Sequence, residues 1–268
     1  MVKWKHWSLQ NSYARVRFPL RPQFLLDIWV LFGNNGYVER DNRGGHNRKK
    51  VNEDFFKAWS PKMAYVLGFI YADGAVENCL ESSRACYLSI ANNDFDILMD
   101  IRSAMSGQQT IHVRYPHMMK INGKEFWCQI SYFMRIGNKL IYNDLIGLGL
   151  CQRKSLVIQM PNVPEKYFSY FLRGYFDGDG CISIGKPMDR RLDVIFTSGS
   201  KIFLEQLANK ILGKFPLIKS SISFGYGAFR LRYNWRNAVD LAGFIYQNIG
   251  QAPYLKYKYV KYQDHLKV

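Results

Sequence analysis

Apolar and polar positions follow two periods along this chain, a helical one and the period of two that is typical of strands with one buried face. A first apolar helix is predicted to begin at Ser60 and Pro61, because serine caps helix N-termini and proline suits the first helical position. A matching helix is predicted to begin at or just after Pro164. Each half of the chain beyond Ser60 is therefore predicted to fold as helix, hairpin, helix, hairpin, helix.

Turn signals divide the strand-like stretches into hairpins. Asn122-Gly123 lies between two alternating runs in the first half, and Gly225-Tyr226-Gly227 lies at the corresponding place in the second. Around these turns the alternation predicts one apolar face and one polar face in each half. The apolar face contains Phe126, Cys128, Ile130, Tyr132, Met134, Leu192, Val194, Phe196, Phe229, Leu231 and Tyr233.

The two halves repeat one another at a fixed distance. Leu67 to Gly74 matches Arg173 to Gly180, and the closing Asp-Gly pairs are separated by 106 residues. Gly107 and Gly213, which follow the next helical stretch in each half, are separated by the same 106 residues. A constant offset over this length indicates an internal duplication.

Glycine inside an apolar helix requires an explanation, since it costs about 1 kcal/mol relative to alanine. Gly68 and Ala72 are four residues apart, as are Gly174 and Gly178, so each helix has a stripe of small residues on one face. Packing the two stripes together generates a pseudo-twofold axis. It also brings the last-turn residues of both helices to the same end of the pair.

The carboxylates of Asp73 and Asp179 occupy those last turns, at the negative ends of two helix dipoles. Two carboxylates in this position repel one another, and a divalent cation would remove the repulsion. Mg²⁺ prefers hard oxygen ligands and binds through one or two carboxylates, with water and phosphate completing its shell. The sequence therefore predicts a Mg²⁺ site, in which Mn²⁺ can substitute, at Asp73 and Asp179.

Composition and charge indicate a polyanionic partner. The chain has 268 residues, 48% apolar content and a net charge of +16, which exclude a disordered tail and favour a globular nucleic-acid-binding protein. The longest apolar stretch near the start is interrupted by Arg21 and Asp27, so no membrane segment is predicted. Five scattered cysteines without a CxxC pair favour a reducing compartment, either the cytoplasm or an organelle matrix.

Both repeated segments resemble the signature helix of LAGLIDADG homing endonucleases. The second copy, Leu172-Arg173-Gly174-Tyr175-Phe176-Asp177-Gly178-Asp179-Gly180, is the closer one. The first copy, Val66 to Gly74, departs at Tyr71, where the family pattern has an acidic residue. The resemblance extends from about Phe55 to Tyr262, and two copies in one chain resemble the single-chain, pseudosymmetric members of the family.

The resemblance implies an α+β fold in which two pseudosymmetric αββαββα repeats form a DNA-binding saddle of antiparallel sheets. It implies that the residues matching Asp73 and Asp179 bind metal, assisted by the backbone carbonyls of Ala72 and Gly178, and that cleavage crosses the minor groove and leaves short 3′ overhangs. The expected segments are a basic N-terminal extension (1–54), a first repeat (55–158), a linker (159–165) and a second repeat (166–262).

Relatives with two motifs often have a lysine near the end of each half that reaches the active site. Lys154 and Lys258 occupy those places here and are the expected catalytic lysines, which would stabilise charge on the phosphate or polarise the attacking water. A position that often holds a water-positioning polar side chain in relatives is matched by Ala91 and Thr197, and Asn92 is the candidate to substitute for the alanine.

Polar side chains on the open strand faces are the candidate DNA contacts. Arginine can pair with guanine and glutamine with adenine in the major groove, while surface lysines contact phosphate. The candidates are Arg114, Lys124, Gln129, Ser131, Arg135, Arg191, Asp193, Lys219, Arg230 and Arg232.

Three functions agree with these features. The first is a site-specific, metal-dependent endonuclease for double-stranded DNA, acting as a monomer and encoded within an intron. The second is an RNA maturase that assists intron splicing, which the basic leader would support through binding of intron RNA. The third is a non-catalytic, sequence-specific DNA-binding regulator, although such a protein has no need of the paired acidic positions Asp73 and Asp179.

Overall fold

The computed structural model describes residues 49–78, 86–121, 123–185 and 191–267. The first half contains α1 (Pro61–Asp73), β1 (Gly74–Asn78), β2 (Cys86–Asn92), α2 (Phe95–Ala104), β3 (His112–Arg114), β4 (His117–Ile121), β5 (Lys124–Cys128), β6 (Ser131–Gly137) and α3 (Lys139–Gly147). The second half contains α4 (Phe168–Asp179), β7 (Gly180–Ile184), β8 (Leu192–Ser198), α5 (Lys201–Lys214), β9 (Ser221–Gly225), β10 (Ala228–Asn234), α6 (Trp235–Ile245) and α7 (Lys256–Leu266).

Each half builds one four-stranded antiparallel sheet with the same order of strands. The first sheet has the order β1-β2-β6-β3 and the second has the order β7-β8-β10-β9. A separate two-stranded ribbon, β4 with β5, is inserted in the first half and has no counterpart among the described residues of the second. Helices α1 and α4 pack against each other between the halves. The predicted α+β class and the duplicated architecture are confirmed.

Local signals set the beginnings of the helices as expected. The Ser60 side-chain oxygen accepts a hydrogen bond from the Met63 backbone N–H at 3.1 Å, with Pro61 as the first residue of α1. A short 3-10 helix, Glu165–Tyr167, follows Pro164 and leads directly into α4. Both α1 and α4 end on an aspartate, and the glycine that follows is the first residue of a strand.

The two glycine-bearing helices approach each other at backbone distance. A Cβ added to Gly68 would lie 2.0 Å from the Phe171 carbonyl oxygen, and a Cβ added to Gly174 would lie 2.0 Å from the Tyr65 carbonyl oxygen. Further along the pair, a Cβ on Gly178 would lie 2.4 Å from the Ala72 Cβ. The predicted contact between small-residue stripes is therefore present at both central glycines and again near the last turns.

One predicted strand is wrong, because the run from Phe126 to Met134 is two strands. β5 ends at Cys128 and β6 begins at Ser131, so Gln129 and Ile130 lie between them. On the opposite side of this break the chain passes through Pro116, which has no N–H to donate to a continuous ladder. Met134 and Ile136 on β6 are buried as the alternation predicts, but Ile130 is exposed.

The turn predictions agree with the structure. Tyr226 and Gly227 both have positive φ, 54° and 80°, and connect β9 to β10 as a two-residue turn. Gly123 has a φ of 77° between β4 and β5, while Asn122 lies outside the described residues.

The predicted basic extension lies mostly outside the described residues, which begin at Lys49. From there the chain packs on the first half, since the carbonyl oxygen of Lys50 accepts a hydrogen bond from the Gln108 N–H at 2.9 Å.

The four described cysteines, at positions 86, 128, 151 and 181, are free thiols. Among the described helices, none has the length and apolar character needed to cross a membrane.

Replacing Gly174 with alanine is expected to destabilise the fold strongly, because the new methyl group would collide with backbone atoms of α1 that cannot rotate away. We expect a loss of about 3 kcal/mol in the free energy of unfolding, at the upper end for overpacked sites. Gly213→Ala is the matched control, because nothing lies within 4 Å of a Cβ at that position in α5. The control should be neutral or stabilising by up to about 1 kcal/mol. Denaturant unfolding measures both variants, and equal effects would contradict the packing interpretation.

Candidate active site and DNA face

Asp73 and Asp179 are the last residues of α1 and α4, and both side chains are partly exposed at the same end of the helix pair. A Cβ on Gly178 would lie 3.5 Å from the Asp73 carboxyl carbon and from its Oδ2 atom, so this carboxylate lies against the backbone that precedes Asp179. The predicted juxtaposition of the two acidic residues is present. It follows from the close packing of the helices.

Asn92 holds the Asp73 carboxylate from the first sheet. Its amide nitrogen donates to Asp73 Oδ2 at 2.7 Å, and its Oδ1 accepts from the Asp94 N–H at 3.0 Å. Ser198, 106 residues later, accepts a similar bond from the Ser200 N–H at 3.1 Å. The sequence signal for Asn92 is a polar residue at the end of β2, just before the cap of α2.

Lys154 lies close enough to the carboxylates of Asp179 and Asp73 to be attracted by both. Its ammonium donates to the carbonyl oxygens of Tyr71 at 2.7 Å and Ala72 at 3.0 Å, in the last turn of α1. Burial lowers the pKa of Lys154, and the charges of Asp179 and Asp73 oppose that shift. A buried ammonium at a helix C-terminus is also favoured by the helix dipole.

Lys258 has the corresponding position in the second half but is more enclosed, with 1% of its surface exposed. Its ammonium donates to the carbonyl oxygens of Phe176 at 2.5 Å, Asp177 at 2.9 Å and Gly180 at 2.7 Å. Three such bonds give Lys258 a structural role at the end of α4. The catalytic role expected from its position in the sequence stays a prediction.

The residue before Ala72 in the first motif is Tyr71, whereas the residue before Gly178 in the second motif is Asp177. The two residues form different hydrogen bonds. Tyr71 donates its hydroxyl to the Leu148 carbonyl oxygen at 2.6 Å. Asp177 instead accepts from the Tyr65 hydroxyl and from the Leu255 N–H, both at 2.8 Å. Burial raises the pKa of Asp177 to about 6, although Lys258, these two hydrogen bonds and the Arg173 guanidinium favour its charged form.

The donor set fits a hard divalent cation. Two carboxylates lie at the ends of two helix dipoles, and the nearby ammonium of Lys154 is directed at carbonyl oxygens. In the described part of the chain, no three histidine, cysteine, aspartate or glutamate residues form a metal-binding group. Two carboxylates are sufficient for Mg²⁺, which retains several water ligands and also binds phosphate.

The outer face of the first sheet carries several predicted DNA contacts. The strand register places Arg114 opposite Ser131, and it places Ser89 opposite Arg135 on the same face. The Arg114 guanidinium lies 5.2 Å from the centre of the Phe133 ring, and burial lowers the pKa of Arg114. These side chains share one surface, as the alternation predicts.

The second sheet presents a polar outer face in the same way. Arg230 lies opposite Thr197 and Arg232 lies opposite Ile195. Asp193 belongs to this face by register but is only 9% exposed, and its Oδ1 lies 3.3 Å from the Arg191 Nε atom. Its burial and ion pair make Asp193 a poorer base-contacting candidate than the two arginines of β10.

Four candidates lie outside the strands of these two sheets. The prediction that Gln129 shares the face of Ser131 is wrong, because Gln129 lies in the break after β5. Lys124, predicted as a phosphate contact, belongs to the separate ribbon. Lys219 is exposed just before β9, and Arg191 immediately precedes β8.

Comparison with known proteins agrees with the geometry. A family model described as a LAGLIDADG-like domain matches residues 168–223. A probable translation initiation factor IF-2 from Thermococcus kodakarensis is 43% identical over 109 residues, which are 38% of this chain. That match spans only 9% of the factor, so it indicates a shared segment.

A solved structure shows the same fold over most of the chain. The homing endonuclease I-WcaI, bound to its DNA recognition sequence, superposes with a TM-score of 0.52 at 17% identity, over 77% of this chain and 90% of that chain. The LAGLIDADG homing endonuclease I-GzeII, in complex with a DNA target, has a TM-score of 0.49 at 13% identity, over 78% and 89% of the two chains. The chain described here thus has the fold of LAGLIDADG homing endonucleases, and its second half contains a LAGLIDADG-like domain.

Proposed function

We propose that this protein is a site-specific endonuclease that hydrolyses both strands of a double-stranded DNA target with the help of a divalent cation. The observation that carries the proposal is the placement of Asp73 and Asp179 at one end of two closely packed helices, flanked by two polar sheet faces. A net charge of +16 supports a polyanionic substrate. A protein that only binds DNA has no need to hold two carboxylates together at the helix ends between its two DNA-binding sheet faces.

Four side chains have distinct roles at this site. Asp73 and Asp179 would hold the cation, Mg²⁺ or Mn²⁺, with help from the carbonyl oxygens of Ala72 and Gly178. When bound, the cation polarises the phosphate and lowers the pKa of bound water. Lys154 adds positive charge near the phosphate, and Asn92 fixes the orientation of the Asp73 carboxylate.

The decisive experiment compares the natural chain with the double variant Asp73→Asn, Asp179→Asn on a randomised double-stranded DNA library in Mg²⁺. The natural chain should enrich one long site with defined ends, and chelation of the metal should stop cleavage. The variant keeps the shape of both side chains and loses their charge, so cleavage should fall by about a thousandfold or more. Binding to the selected site should change by less than about threefold and should weaken with salt. Cleavage by the variant at the natural rate would contradict the proposed role of the carboxylates.

A second experiment tests the structural role of Lys258. Lys258→Met should lower the free energy of unfolding by about 3 kcal/mol, because three buried carbonyl groups lose a charged donor. Lys256→Met on the same helix is the control, since its side chain is 67% exposed and its ion pair with Asp96, at 3.5 Å, is worth little. An unchanged stability for Lys258→Met, measured by denaturant unfolding, would remove the structural role.

The contact between Asn92 and Asp73 predicts unequal cleavage of the two strands after substitution. Asn92→Ala releases one carboxylate only, so one strand should be cut roughly tenfold more slowly and nicked DNA should accumulate. Ser198→Ala, at the equivalent position of the second half, provides the comparison. Strand-specific end labels measure both rates, and equal slowing of both strands by Asn92→Ala would contradict the prediction.

A further inference from the structure

The outer face of the first sheet contains an acidic side chain, Glu77, where a DNA-binding surface is expected to be basic. A carboxylate facing phosphates weakens binding to every sequence, so its presence requires a compensating role. Its Oε2 atom lies 2.5 Å from the Nη2 atom of Arg135. The carbon at the centre of the Arg135 guanidinium lies 3.7 Å from the centre of the Tyr87 ring. Arg135 is therefore held by a charge on one side and by an aromatic face on the other.

The strand register shows how the sheet builds this group. Glu77 on β1 lies opposite Tyr87 on β2, and Tyr87 lies opposite Gly137 on β6. A Cβ on Gly137 would lie 3.0 Å from the Tyr87 Cε1 atom, so the glycine leaves the space that the ring occupies. Arg135 is two residues before Gly137 on the same face, which places its side chain within diagonal reach of Tyr87.

The second half provides an internal comparison, because three of the same four sheet positions contain other residues. Ser183, Asp193 and Asn234 replace Glu77, Tyr87 and Gly137, as the matching registers show. Arg232 occupies the position of Arg135. Arg232 is exposed, and within the described residues its side chain makes no hydrogen bond or ion pair. The arginine is thus common to both halves, whereas the group that holds it is specific to the first.

We propose, on the basis of the proposed function, that Glu77 and Tyr87 are positioning residues that make Arg135 specific for one guanine in the half-site covered by the first repeat. Arginine recognises guanine through two parallel hydrogen bonds to O6 and N7, and this geometry requires a fixed guanidinium plane. Glu77 uses one edge of that plane, and stacking on Tyr87 fixes its tilt. Holding the side chain in advance reduces the conformational entropy lost on binding. It also keeps the guanidinium from pairing freely with phosphates.

The test measures binding of the target selected above and of its single-base-pair variants, competed against non-specific DNA. Glu77→Gln retains the shape of the side chain and removes its charge. At one G·C pair the natural chain should discriminate by at least about tenfold, and Glu77→Gln should lose most of that factor. The affinity of Glu77→Gln for non-specific DNA should rise, and the salt dependence of that binding should be steeper by about one phosphate contact.

Four further variants identify the cause. Arg135→Gln should lose discrimination at the same base pair as Glu77→Gln. Tyr87→Phe retains the stacking face and should behave as the natural chain, whereas Tyr87→Leu should not. Arg232→Gln, the matched control in the second half, should leave discrimination at that base pair unchanged. Unchanged unfolding midpoints would verify that the variants fold.

Two outcomes overturn the inference separately from the proposed function. If the natural chain binds its site selectively but Glu77→Gln shifts all affinities equally, Glu77 does not position Arg135 for base recognition. If Glu77→Gln and Arg135→Gln alter discrimination at different base pairs, the two residues do not act together. Absence of any sequence-selective DNA binding by the natural chain would instead contradict the proposed function, and the inference with it.

Discussion

The rest of the structure depends on the backbone contact between α1 and α4. At Gly68 and Gly174 the main chain of the opposite helix occupies the space that a Cβ would need. This close contact fixes the distance between the two helices. Each helix continues without a loop into the first strand of its sheet. The same contact therefore determines the relative placement of the two sheets and brings the two terminal aspartates to one end of the helix pair.

This arrangement concentrates negative charge at one end of the helix pair. Two helix C-termini and two carboxylates lie together, and each helix end receives one buried lysine. Both ammonium groups donate to carbonyl oxygens, so they compensate the helix ends. The closeness of the two carboxylates at these helix ends is the physical reason for expecting a cation there.

Sequence patterns predicted the features that depend on local chemistry or on the repeat. The caps, the glycine stripes and the paired aspartates follow from residue types at fixed spacings, and the 106-residue offset aligned the halves. The break at Gln129 was missed because alternation of apolar residues continues through it, while Pro116, which interrupts the opposite side, lies between two other strands, β3 and β4. The contacts of Asn92 with Asp73 and of Glu77 with Arg135 join residues whose proximity depends on strand register, which periodicity alone does not determine.

Comparison of the halves separates what the fold requires from what has diverged. Tyr71 and Asp177 are different residues 106 positions apart, yet each ties the end of its central helix to a later segment of its own half, through Leu148 and Leu255 respectively. The function of that position is retained although its chemistry has changed. On the sheet faces the opposite holds, because an arginine is retained at 135 and 232 while its surroundings differ. The backbone contact between the helices tolerates only equivalent solutions, whereas the exposed sheet faces are under no such constraint, and this difference explains why the duplication is clearest in the helices.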